Sequence, residues 1–77
     1  MKEEKGYLIV KVNCGDTHTF RLLRDYIAES LGFMFTSVNN KIFVYVDNEA
    51  QADCVWDKVA YQLDMWSDLK AKIEIIE

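Results

Sequence analysis

The hydrophobic period of this chain switches repeatedly between two residues and about 3.6, and no other feature narrows its fold as much. Tyr7-Leu8-Ile9-Val10-Lys11-Val12-Asn13 alternates as a half-buried strand does. Cys14-Gly15-Asp16 interrupts that run. Asp16 can cap a helix whose apolar positions Phe20, Leu23, Ile27 and Leu31 fall three and four apart. Gly32 stands where a left-handed residue would close this helix. Period two returns from Phe33 to Val38 and from Lys41 to Asp47. Between them Asn39-Asn40 tolerates positive φ, which predicts a two-residue hairpin turn. Asn48 can cap a second helix carrying Ala52, Val55, Trp56, Val59, Leu63 and Trp66 on one face, so that both tryptophans are expected in the core. A last strand is expected from Leu69 to Ile76.

The resulting order, β-α-β-β-α-β, predicts an α+β ferredoxin-like sandwich. Two right-handed crossovers share one four-stranded antiparallel sheet, in the order 4-1-3-2, with both helices on one face. Residues 1–6 read as a charged lead segment and residues 7–77 as the single domain. Strand parity then assigns side chains. Leu8, Val10, Val12, Phe33, Phe35, Ile42, Val44, Val46, Ala71, Ile73 and Ile75 should turn toward the helices. Tyr7, Ile9, Lys11, Met34, Thr36, Val38, Lys41, Phe43, Tyr45, Lys70, Lys72 and Glu74 should lie on the open face.

Composition supports a folded core: 51% of the 77 residues are hydrophobic and there is no proline, which excludes disorder for the body of the chain. No apolar run approaches the ~20 residues that span a bilayer. Met1-Lys2-Glu3-Glu4-Lys5 leads into no apolar stretch of the kind that opens a signal peptide. Two cysteines are too few for a disulfide scaffold and point to a reducing, cytoplasmic setting. A Cys14–Cys54 bridge is not expected, because the first strand ends at one end of the sandwich and the second helix begins at the other.

The net charge is −4, and its distribution is uneven. Between Asp47 and Asp68 six acids stand against Lys58 alone. On a helical wheel with Ala52 at zero, Asp53, Asp64, Asp57 and Asp68 fall at about 100°, 120°, 140° and 160°, with Tyr61 beside them at about 180°. This ridge runs roughly 22 Å along one flank of the buried stripe. Asp64 and Asp68 oppose the helix dipole, and like charges one turn apart cost a few tenths of a kcal/mol. A row that helix stability does not favour is compatible with docking on a basic protein surface. The plainer reading is a solvated face that keeps the protein soluble.

The open sheet face is a second candidate. Ile9 and Lys11 on the first strand neighbour Phe43 and Tyr45 on the third, with Lys41, Lys70 and Lys72 around them. Lys41-Ile42-Phe43-Val44-Tyr45-Val46 and Leu8-Ile9-Val10-Lys11-Val12-Asn13 resemble the third and first strands of the RNA-recognition motif. That likeness implies bases stacked on Tyr7, Phe43 and Tyr45 and phosphates held by lysines. The sequence departs from that pattern in lacking its glycines and in having Ile9 where a stacking ring is usual. Ile9, Met34, Val38, Phe43 and Tyr45 together could equally meet a second copy of the chain, since a sizeable apolar patch rarely stays bare.

Cys14, Asp16 and His18 gather at the start of the first helix, but Asp16 opposes thiolate formation and no further histidine completes a metal site. Helix capping is the better account of Asp16. No Ser/His/Asp set, paired carboxylates or Gly-rich phosphate loop is present, so no catalytic residue, metal or cofactor is expected. The acylphosphatase phosphate cradle has no counterpart in Asn13-Cys14-Gly15-Asp16, and the paired cysteines of metal-chaperone domains are missing. The expectation is a non-catalytic protein-binding module, an inhibitor or regulator of a nucleic-acid enzyme. Its ridge Asp53, Asp57, Tyr61, Asp64 and Asp68 would meet a basic partner, and Tyr7, Ile9, Lys11, Met34, Phe43, Tyr45, Lys70 and Lys72 would form the sheet-face interface of a homodimer or a nucleic-acid platform. The chain resembles anti-CRISPR proteins in size, charge and architecture. Single-stranded RNA binding is the alternative.

Overall fold

A computed structural model describes residues 8–66 and 68–76. The elements follow the periodicity: β1 (Leu8–Cys14), α1 (Thr17–Tyr26) continued by a π-helical turn (Ile27–Leu31), β2 (Phe35–Val38), β3 (Lys41–Val46), α2 (Glu49–Met65) and β4 (Ala71–Ile76). They form an α+β unit with one antiparallel four-stranded sheet, whose neighbours run β2-β3-β1-β4.

Local chemistry sets most boundaries. The Thr19 backbone N–H donates to Asp16 Oδ1 at 2.7 Å, and the Gln51 N–H donates to Asn48 Oδ1 at 2.9 Å, so each helix opens on a side-chain cap. Asn39 and Asn40 both have positive φ, 52° and 64°, which lets the β2–β3 hairpin turn in two residues. Gly32, at φ 74°, ends the first helical segment in the left-handed region. The closing π turn was not expected. The spacing of four from Leu23 through Ile27 to Leu31 accommodates a widened turn, and Leu31 still reaches the core edge.

Val10, Val12, Ile42, Val44 and Val46 from the sheet pack with Leu23 and Ile27 from the α1 segment and Ala52, Val55 and Val59 from α2. Both helical segments therefore share one core against one sheet face. Thr19, fully buried, ties α1 to the chain entering β4: its Oγ1 accepts from the Lys70 N–H at 3.1 Å. Next to it the Gly15 N–H donates to the Lys70 carbonyl at 2.7 Å. A Cβ on Gly15 would lie 3.1 Å from Lys70 Cβ, so the absence of a side chain permits this approach.

Several expectations need correction. The second and fourth strands begin two residues later than predicted, at Phe35 and Ala71. The Tyr45 N–H still donates to the Met34 carbonyl, so the β2–β3 pairing reaches past the strand end. Ile75 lies opposite Val10 but is 40% exposed, because β4 is the sheet edge and its end is poorly covered. Trp56 and Trp66 were expected in the core, yet each is 37% exposed. The buried arc of α2 spans only Val55, Val59 and Ala52, and Trp56 sits about 40° beyond Ala52 on its shoulder. Trp66 has already left helical geometry, so the wheel no longer applies to it.

Candidate docking surfaces

The register of the sheet arranges the open face in rows across the strands. At one end Met34, Tyr45, Ile9 and Ile76 lie side by side. The next row is Thr36, Phe43, Lys11 and Glu74, and the third is Val38, Lys41, Asn13 and Lys72. The face is thus apolar toward one end and cationic toward the other. Phe43 and Tyr45 are half-buried while Val44 between them is fully buried on the helix side. Lys11 is in an ion pair with Glu74 (Nζ–Oε1 3.8 Å), which competes with any anion it could bind. Lys41, Lys70 and Lys72 form no ion pair with a described residue. Tyr7 lies outside the described residues.

The outer surface of α2 has a different character. Asp53, Asp57 and Asp64 are exposed along one flank, and none is ion-paired among the described residues. Tyr61, 61% exposed, and the Trp56 shoulder border the same flank. Asp57, Ala60, Tyr61, Leu63 and Asp64 line a shallow open groove there. Asp68 does not continue this row. The helix ends at Met65, Asp68 falls in the following turn, and its Oδ2 lies 3.8 Å from His18 Nε2. The predicted ridge therefore shortens to three aspartates. It gains an indole that periodicity had assigned to the core; the wheel position of Trp56, between the buried arc and Asp53, was the available signal.

At the start of α1 the chemistry is muted. The Cys14 thiol is buried, and burial, reinforced by the negative charge of Asp16, pushes it up to about 11. Asp16 is held below its ordinary value by the hydrogen bonds it accepts from Thr19. A neutral thiol beside a charged cap is the opposite of an activated nucleophile. Both cysteines are free thiols, Cys14 buried and Cys54 exposed on α2. Among the described residues no cluster of three histidine, cysteine or carboxylate side chains could hold a metal, and no helix is long and apolar enough to cross a membrane.

No protein-family pattern matches the chain, and no curated protein is significantly similar to it in sequence.

Proposed function

We propose that the protein is a non-catalytic binding module that docks the α2 flank on a basic surface of another protein, acting as an inhibitor or regulator of a nucleic-acid enzyme. In this reading the fold is the ferredoxin-like sandwich and the protein works in the cytoplasm, in keeping with its two free thiols. One observation carries the proposal: Asp53, Asp57 and Asp64, with no ion-pair partner among the described residues, stand beside Trp56 and Tyr61 on one exposed flank. Carboxylates supply steering toward a cationic groove of the kind that holds phosphates. Tryptophan and tyrosine supply the large rigid contacts that dominate binding energy at protein interfaces. Helix stability by itself asks for neither.

A second reading, single-stranded RNA on the open sheet, is favoured by Phe43 lying beside Lys11 and by Lys41 and Lys72, which form no ion pair with a described residue and flank Asn13. The Lys11–Glu74 ion pair and the isoleucine at position 9 weaken it.

Affinity capture from the source cells, with and without nuclease, separates the two. The variant Asp53→Lys/Asp57→Lys/Asp64→Lys should lose a nuclease-resistant protein partner that Phe43→Ala/Tyr45→Ala retains. Retention by the triple variant, or capture that disappears on nuclease treatment, would refute protein docking through α2.

A further inference from the structure

β4 is the outer strand of the sheet, and no described residue pairs with its far side. The bond from the Gly15 N–H to the Lys70 carbonyl fixes which backbone groups face outward. Gly15 and Lys70 are a hydrogen-bonded pair, so antiparallel alternation makes Asn13–Lys72 and Lys11–Glu74 hydrogen-bonded as well. Ala71, Ile73 and Ile75 therefore point their N–H and C=O groups away from β1. The side chains of Ile75 and Ile76 remain 40% and 37% exposed at this edge. Such an edge is a template for another strand unless something blocks it. β4 contains no proline, and its alternation with β1 is unbroken through all six residues.

We propose that this edge pairs with the same edge of a second copy, joining two sheets into one about a two-fold axis at Ile73. An antiparallel pair that keeps both helix layers on the same side must match residues of like parity. Three registers near the strand centre satisfy that condition, and charge distinguishes them. Centring on Lys72 sets lysine against lysine, and centring on Glu74 sets glutamate against glutamate. Centring on Ile73 sets Lys72 of each copy against Glu74 of the other, Ala71 against Ile75, and Ile73 against itself. Glu74 then lies between Lys11 of its own chain, 3.8 Å away, and Lys72 of the second copy, so that charges alternate in sign across the joined sheet. Lysine on an edge discourages pairing; centring on Lys72 would also bring Lys70 to Glu74 but sets the two Lys72 side chains together, so only the Ile73 register answers Lys72 with a glutamate and opposes no like charges. The outward N–H and C=O groups of Ala71, Ile73 and Ile75 face their counterparts in this register, and Ile75 gains a neighbour across the seam.

The interface is isologous. It involves neither the α2 flank nor the open-face residues Phe43 and Tyr45, so it stands or falls apart from the function proposed above.

Sedimentation equilibrium of the full chain across the micromolar range tests it, with far-UV circular dichroism confirming that each variant is folded. The native chain should dimerise. Lys72→Glu or Glu74→Lys should each raise the dissociation constant roughly tenfold or more, because the symmetry converts two attractive pairs into repulsive ones. The exchange Lys72→Glu/Glu74→Lys should bring the constant back toward the native value. A native chain that stays monomeric would overturn the proposal. So would a dimer indifferent to both single reversals, or one lost on Phe43→Ala/Tyr45→Ala instead.

Discussion

Thr19 shows what one side chain can hold together. Its hydroxyl accepts the Lys70 N–H across 51 residues of sequence, and its own N–H is held by Asp16. Thr19→Val keeps the shape but strands the Lys70 donor, which should cost about 1–3 kcal/mol. For a domain of this size that lowers the thermal midpoint by at least about 4 °C, readable by calorimetry. Cys14 gives a second test at the residue scale. Its folded thiol sits near 11 against an ordinary 9.0, so above pH 9 the unfolded chain gives up a proton that the folded chain keeps. The Cys14 contribution to stability should hold below pH 9 and decline as pH rises from about 9 toward about 11, a decline that Cys14→Ala removes. Denaturant titrations at a series of pH values read the difference.

Among the elements, the helix ends are the most legible in sequence. Asp16, Asn48, Gly32 and the Asn39-Asn40 pair all do locally what their side chains or backbones favour, and each was readable without knowledge of the fold. Gly32→Ala isolates this: a Cβ there meets nothing within 4 Å, so any loss comes from the 74° φ alone. That loss should be about 1 kcal/mol in denaturant unfolding, with no change in the slope. The π turn was not legible, because a spacing of four apolar residues serves an α or a widened turn alike. Trp56 was misread for a related reason, and Trp66 because the helix ends before it. A helical wheel reports direction, whereas burial depends on how much sheet lies beneath, and α2 packs partly over the edge strand β4.

For the whole molecule, the acidic α2 flank and the cationic end of the open sheet face are separate surfaces on one small core. Reversing Asp53, Asp57 and Asp64 to lysine changes the sign of the net charge yet touches no buried residue. The thermal midpoint should therefore shift by no more than about 12 °C for the three together, since exposed substitutions of this kind usually stay within about 0.5 kcal/mol each. A larger drop by calorimetry would mean that the row supports the fold. Partner capture and folding can thus be tested on the same variant.

Sequence by itself determined the alternation that sends Val44 inward and Phe43 and Tyr45 outward, because strand period is a property of the backbone. It also determined the capped ends, through short-range hydrogen bonds. Only the tertiary structure decided that Lys11 is paired with Glu74, that Asp68 leaves the ridge for His18, and that Trp56 joins it. Those outcomes depend on strand register, on where α2 stops and on the width of the sheet below it, which arise from contacts between elements and have no local signature.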